Sequence, residues 1–171
     1  ALVDRAMTHL LRHSGPAAVV KDFEPFGYDE RQFCSPGFDL PVGLLQRSET
    51  EHFPEYHSSA DNLDFITPQA LAQSYRLIVD LIEILEHDRK PLSLSPKGEP
   101  RLGPRGLHSP RTGSTEDHSG QDALMWVLSF ADGNHSLLDI AERAGMPFSL
   151  ILAAERRLQA AGLIAGEHRA P

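Results

Sequence analysis

Apolar residues recur at helical spacing at the start of the chain. Val3, Met7 and Leu10 fall on one face of a helix, whereas His9 falls among the positions expected to face outward. This pattern predicts an amphipathic helix over residues 1–13. A Ser-Gly-Pro run then stops the pattern.

Two short runs that follow have the character of β-strands. Residues 17–23 read AAVVKDF and residues 40–46 read LPVGLLQ. Such aliphatic density between loops rich in Gly and Pro is typical of strands. A helix, two strands and long loops at the strand ends predict α/β architecture, in which ligand sites gather on the loops.

A long helix is predicted from Pro68 to about residue 87. Thr67 is the expected N-cap, and Pro68 takes the first helical position, where its missing N–H costs nothing. The apolar positions of this helix follow at helical spacing, and we expect the stripe to pack on the sheet. They are Leu71, Tyr75, Ile78, Leu81, Ile82 and Leu85.

Residues 88–120 accumulate Pro, Gly, Ser and Arg without periodicity, which is typical of a linker. We place a first domain at 1–95, the linker at 96–120 and a second domain at 121–171. Three short helical patterns separated by turn residues follow in the second domain. They are Ala123–Phe130, Leu137–Ala144 and Pro147–Ala161.

The second domain has the outline of a winged helix. Ser136 is expected to cap its second helix, with Asp139 returning a bond to the N–H of the cap residue. The apolar run LIA at 163–165 could begin a strand after the third helix. Few residues remain beyond it, so we expect a wing that is short or absent.

Composition indicates a soluble globular protein of a reducing compartment. The chain has 171 residues and is 40% hydrophobic, which is enough for an ordinary core. No apolar run reaches the roughly 18 residues of a membrane span. Cys34 is the only cysteine, which excludes an internal disulfide. We therefore expect a cytoplasmic protein.

Charge disfavours nucleic acid as a partner. The net charge is −8, and residues 121–171 hold six acidic and four basic side chains, a net −2. The third helix of this domain begins PFSLIL and lacks the cationic and amide side chains that reach phosphates and bases. Its apolar residues exceed one buried stripe, which predicts contact with a neighbouring domain or subunit rather than DNA. These residues are Phe148, Leu150, Ile151, Leu152 and Leu158.

A tyrosine and a histidine stand side by side in the polar stretch FPEYHSSADNLD at 53–64. Taken alone, Tyr56 and His57 are a weak signal, because a lone loop histidine is more often exposed or supporting than a metal ligand. His9 and His13 are one helical turn apart and have zinc-compatible spacing, but no acidic third ligand is evident near them.

Several separated blocks resemble one protein family. GYDERQFCSPGFDLPVG at 27–43 and EYHSSADNLDFI at 55–66 resemble the aminopeptidase-like branch of the co-catalytic zinc exopeptidases. LSPKGEPRLGPRGL at 94–107 and the winged-helix outline are similar to a bacterial subfamily that joins such a domain to a C-terminal winged helix. The resemblance implies the C-terminal part of an aminopeptidase-like α/β sandwich, followed by a small all-α winged-helix-like domain.

The resemblance also implies roles for individual residues. His57 takes the place of a ligand to one of two zinc ions, and Tyr56 takes the place of a hydroxyl that donates to the oxyanion of the tetrahedral intermediate. Asp29, in the matched GYDE block, is a candidate for the substrate pocket or for supporting a metal ligand, with loop bracing as the alternative. Arg31 could hold a substrate carboxylate or pair at the surface with Asp29 or Glu30.

Other parts of the family's site are missing from this sequence. It contains no His-x-Asp and no Glu-Glu pair, which in the family supply the bridging ligand and the general base. In the family these precede the matched part, so the chain resembles the C-terminal portion of a zinc aminopeptidase-like hydrolase and is expected to be inactive alone. The alternative is a winged-helix module for protein or nucleic-acid binding, attached to a non-catalytic aminopeptidase-like fold.

Overall fold

The chain divides into two compact units, Ala1–Leu85 and Glu86–Pro171. The structure is a computed structural model, and it describes residues 1–15, 18–25, 27–49, 52–107 and 119–165. No helix in this described part is both long and apolar enough to cross a membrane.

The first unit contains helices. Helix α1 spans Leu2–His13, α2 spans Asp29–Phe33 and α3 begins at Pro68 and ends at His87. The predicted helices at the start of the chain and from Pro68 are confirmed. Thr67 also caps α3 as predicted, because its Oγ1 accepts the Ala70 N–H at 3.2 Å.

His9 lies on the buried side of α1, so the prediction that it faces outward was wrong. It is 3% exposed and shares that side with the fully buried Ala6. An imidazole has an apolar body with a polar tip, and it can therefore be covered together with a methyl group.

The α/β prediction was also wrong. No strand forms in the described ranges, and both predicted strand segments, 18–23 and 40–46, are irregular there; residue 17 lies outside those ranges. A strand becomes stable only when its N–H and C=O groups pair with a neighbouring strand, and the described residues place none beside these segments. Four of the six α3 residues expected to pack on a sheet are exposed instead, and Leu81 and Leu85 are half-buried. The four exposed residues are Leu71, Tyr75, Ile78 and Ile82.

The second unit contains the predicted helices in the predicted order. Helix α4 spans Ser119–Phe130, α5 spans Leu137–Ala144 and α6 spans Phe148–Ala160. The predicted cap of α5 is confirmed: the Asp139 N–H donates to Ser136 Oγ at 3.2 Å, and the Ser136 N–H donates to Asp139 Oδ2 at 2.8 Å. This reciprocal pair fixes where α5 begins.

The core of the second unit lies between α4, α5 and α6, each of which contacts the other two. The apolar α6 residues named above are buried, except for the half-buried Leu150, and their predicted contact with a neighbouring domain or subunit stays a prediction. Bulky aliphatic side chains that become fully buried in this unit form its core. They include Leu124, Val127, Leu137, Leu138, Ile140, Ile151, Leu152, Leu158 and Ile164.

Residues 91–94 lie between two other backbone segments and pair with both. Leu92 forms an antiparallel bridge with Asp132, and Ser93 forms one with Ile164. Four backbone hydrogen bonds of 2.8 to 2.9 Å hold the segment: Ser93 N–H to Ala131 C=O, Gly133 N–H to Pro91 C=O, Leu94 N–H to Leu163 C=O and Ala165 N–H to Leu92 C=O. The predicted strand start at 163–165 therefore pairs with a segment that precedes α4, α5 and α6.

The segment that leads into this pairing is tied to the helices of the second unit. The Leu137 N–H donates to the Arg89 carbonyl at 2.9 Å, and the Leu138 N–H donates to Asp88 Oδ1 at 2.9 Å. Further along, Leu102 and Leu107 are buried. Residues 108–118 of the predicted linker and residues 166–171 of the predicted wing lie outside the described residues.

Candidate functional site

A run of tight turns presents Tyr56 and His57. The Tyr56 N–H donates to the Phe53 carbonyl at 3.2 Å, and the Ser58 N–H donates to the Glu55 carbonyl at 3.1 Å. Ser58 reinforces the second turn through its hydroxyl, which donates to the same Glu55 carbonyl at 2.9 Å. Local bonds of this kind hold a loop in one shape without a sheet or helix around it.

The loop is also braced by aromatic rings and by Asn62. The Phe53 ring stacks on that of Phe65 with centroids 5.8 Å apart and meets the Tyr56 ring edge to face at 5.6 Å. Asn62 Oδ1 accepts the Asp64 N–H at 2.8 Å, as expected for an asparagine that folds its own loop. Tyr56 is thus held by packing on one side and by the turn on the other.

His57 occupies a left-handed backbone conformation. Its φ is +54°, a value that non-glycine residues seldom adopt. Its ring is exposed and stacks on the Tyr56 ring, with centroids 4.0 Å apart and an interplanar angle of 13°. Backbone strain of this kind, of order 1–3 kcal/mol, persists where the surroundings impose it and is enriched at functional sites. The turn therefore places an imidazole and a phenol side by side.

A second tyrosine reaches this pair. The hydroxyls of Tyr28 and Tyr56 are 3.4 Å apart, although the two residues are 28 positions apart in sequence. Tyr28 was not predicted from the sequence to belong to the site. Its presence in the matched GYDE block was a signal, but nothing local to the sequence indicates which distant loop it meets.

Asp29 and Arg31 lie on α2, immediately after Tyr28. Asp29 is the first residue of that helix and Arg31 lies in its last turn. Both are exposed. The structure thus places Asp29 next to the tyrosine contact along the chain and leaves both side chains accessible.

The metal-ligating residues of the described ranges do not come together. Among them there is no group of three or more His, Cys, Asp or Glu side chains placed to hold a metal ion. The rings of His9 and His13 approach each other with centroids 4.8 Å apart, but they are not part of such a group. His57 is therefore one potential ligand without a full set within the described residues.

Comparison with known families assigns the two halves of the chain differently. Residues 1–88 match a family described as a domain of unknown function, DUF4910. Residues 89–166 match a winged helix-turn-helix family, which confirms the predicted winged helix.

Two relatives from Clostridium acetobutylicum are similar to the chain. One, provisionally named a polysaccharide biosynthesis protein with an aminopeptidase-like domain, is 44% identical over 151 residues, which are 88% of this chain and 35% of the relative. The other is a protein provisionally named a peptidase, whose crystal structure was determined at 2.37 Å. Its sequence is 41% identical to this chain, and the two structures superpose with a TM-score of 0.82. The match covers 95% of this chain and 35% of the crystallised chain. The chain thus spans about a third of the length of the relatives it matches.

Proposed function

We propose that this chain, which belongs to the DUF4910 family, forms part of an aminopeptidase-like hydrolase, because one similar protein is provisionally named a peptidase and the other is named for an aminopeptidase-like domain. The main structural support for this proposal is the turn that contains Tyr56 and His57. It presents a phenol and an imidazole together, with the histidine in a conformation that non-glycine residues seldom adopt. Such a pair suits the cleavage of a peptide bond, in which negative charge develops on the carbonyl oxygen.

Tyr56 has the chemistry of an oxyanion donor. When a nucleophile adds to a peptide carbonyl, the oxygen becomes negatively charged and a preorganised O–H donor stabilises it. The Tyr56 ring contacts the Phe53 ring and stacks on the His57 ring, and these contacts restrict where its hydroxyl oxygen can lie. A donor that is already in place avoids a reorganisation cost during the reaction.

Zinc enters the proposal only through His57. A zinc site takes about four ligands, or three and a water where it is catalytic. The described residues alone do not fit such a site, because they bring no three ligating side chains together. No catalytic step is therefore assigned to zinc on this chain. We propose that His57 is one ligand of a two-zinc site and that the other ligands lie elsewhere in the complete protein.

We propose that Asp29 and Arg31 bind the substrate. Both are exposed on α2, which begins directly after the tyrosine that reaches Tyr56. A guanidinium can hold a carboxylate through two parallel hydrogen bonds, and an exposed aspartate can attract a cationic amino terminus. The pair is therefore suited to the two charged ends of a short peptide.

The proposal is tested by peptide hydrolysis in the complete protein. We expect release of p-nitroaniline from at least one member of a panel of aminoacyl-p-nitroanilides. Tyr56→Phe should lower kcat on the order of 10²-fold or more, because one oxyanion donor is lost. Tyr75→Phe is the control: it removes a hydroxyl from an exposed tyrosine of α3 and should leave kcat unchanged. A Tyr56→Phe protein as active as the wild type would contradict the assignment.

For the winged helix we propose a protein partner, namely a neighbouring domain or subunit, rather than DNA. The first turn of α6 begins with the buried Phe148, and one of its later cations, Arg156, lies 3.2 Å from His87 Nε2. Contact with DNA needs free cationic and amide side chains at that end of the helix. By contrast, Leu92 and Leu94 of the bridged segment are exposed and offer an apolar contact.

A duplex titration tests this second proposal. Mixed-sequence DNA added to the complete protein at about 50 mM salt, where electrostatic binding is strongest, should give no micromolar complex. Arg157→Glu should leave that result unchanged. Micromolar binding that weakens steeply with salt would overturn the proposal and favour nucleic acid as the partner.

A further inference from the structure

The contact between the Tyr28 and Tyr56 hydroxyls joins two loops that are far apart in sequence. Their oxygens are 3.4 Å apart, and either one can be the donor. Tyr28 is 70% exposed, so its ring is not placed there by burial. The contact is instead determined by the backbone that carries each tyrosine.

The backbone before Tyr28 is fixed by a glycine and a glutamate. Gly27 has a φ of +102°, and a Cβ on it would lie 1.6 Å from Glu30 Oε1. The same Glu30 oxygen accepts the Tyr28 N–H at 3.1 Å. The Glu30 carboxylate therefore fills the space that Gly27 leaves and holds the start of α2, from which Tyr28 projects.

A phenolic oxygen has one proton to donate and two lone pairs that accept. If Tyr56 donates its proton to a substrate oxyanion, its own oxygen can accept a hydrogen bond at the same time. A donor there strengthens the outgoing bond, because hydrogen bonds in a chain polarise one another. Tyr28 is positioned to be that donor.

We propose that Tyr28 is a positioning residue for the hydrolysis, donating its hydroxyl to Tyr56 and so directing the Tyr56 proton toward the substrate carbonyl oxygen. This inference rests on the proposed function. The present separation of 3.4 Å is long for an O–H···O bond, and such bonds commonly shorten in the substrate complex.

The test compares four forms of the complete protein: wild type, Tyr28→Phe, Tyr56→Phe and the double variant. Tyr28→Phe should lower kcat on the order of tenfold with KM and zinc content unchanged, since it affects only the transition state. In the Tyr56→Phe background the same change should have no further effect, because the group it serves is gone. Equal loss in both backgrounds would mean that Tyr28 acts independently of Tyr56 and would overturn the inference.

A second measurement does not depend on activity. In protein labelled with ¹³Cζ-tyrosine, Tyr28→Phe should shift the Tyr56 signal, whereas Tyr75→Phe should leave it in place. An unmoved Tyr56 signal in Tyr28→Phe would overturn the inference even if the enzyme is active. If the wild type hydrolyses no substrate while the Tyr56 signal shifts, the proposed function has failed and the contact itself stands.

Discussion

Glu155 is a buried carboxylate on α6, with Arg89 as its partner. It is 1% exposed, and Arg89 meets it with two hydrogen bonds, from Nε at 3.2 Å and from Nη2 at 2.7 Å. A buried carboxylate is stable only when it is paired and hydrogen-bonded. The second unit therefore depends on a residue that precedes α4, α5 and α6.

Removing Arg89 should destabilise the second unit strongly. Arg89→Met leaves the Glu155 charge buried without its guanidinium, and we expect a loss of roughly 3 kcal/mol or more in the free energy of unfolding. Adding Glu155→Leu removes that charge and should recover part of the loss. Urea denaturation measures both, with Arg157→Met on the exposed side of α6 as the control. An Arg89→Met protein as stable as that control would contradict this prediction.

We expect Asp132 to make the free energy of unfolding depend on pH under acidic conditions. The backbone N–H of Asn134 and then that of His135 hydrogen-bond its carboxylate, at 2.8 and 3.1 Å, and they lower its pKa from 3.8 to about 2. A carboxyl group with a lowered pKa contributes stability above its unfolded value and loses it as the pH falls through the folded one. The contribution should therefore disappear between about pH 4 and pH 2.

Asp132→Asn tests this linkage. The amide does not titrate, so the variant should be less stable than the wild type at neutral pH and the difference should shrink as the pH falls from about 4 to about 2. Thermal unfolding at several pH values gives the comparison. A difference that stays constant across that window would show that the ionised carboxylate contributes nothing specific.

At the scale of elements, helices whose signals are local could be predicted and pairings between distant segments could not. The N-cap of α3 at Thr67 and the capping box of α5 at Ser136 lie within a few residues of the helices they start. Residues 18–23 have strand-like composition, but a strand also needs a partner, which composition does not reveal. The contact between Tyr28 and Tyr56 was missed for the same reason.

Helix α5 offers a measurable example of such a distant contact. Besides its own capping box, the start of α5 has a second cap. The Leu138 N–H donates to Oδ1 of Asp88 at 2.9 Å, and these two residues are 50 positions apart in sequence. A carboxylate at a helix N-terminus also interacts favourably with the helix dipole. Asp88→Ala should therefore lower the unfolding free energy by about 1 kcal/mol. Asp80→Ala, on the exposed side of α3, should have much less effect in the same denaturation assay; equal effects would contradict the role of Asp88.

At the scale of the whole molecule, the two units differ in how much of their apolar surface is covered. The second has a core formed by three helices that contact one another, whereas the first exposes large apolar side chains such as Tyr75, Leu71 and Leu63. The chain covers 35% of each matched relative, so both relatives are much longer than this chain. The proposed hydrolase activity therefore belongs to the complete protein.

The isolated 171-residue chain should hold no tight zinc and cleave no peptide. One imidazole cannot form a site that needs about three protein ligands, and the described residues bring no such group together. Metal analysis after dialysis against a weak chelator checks this expectation. Zinc retained at one ion per chain would point to an unrecognised site. Metal analysis of His9→Ala would then show whether α1 supplies a ligand to that site.

The zinc content of the complete protein, with and without His57, tests the assignment of this residue as a metal ligand. If His57 is a ligand, His57→Ala should lose about one zinc ion per chain and nearly all hydrolysis, because a catalytic site with three protein ligands cannot readily spare one. His52→Ala is the matched control, an exposed histidine of the same region that pairs with Glu49 instead, and it should keep both zinc ions and activity. Two zinc ions in the wild type and one in His57→Ala is the result we predict. Equal zinc content in the wild type and both variants would contradict the assignment.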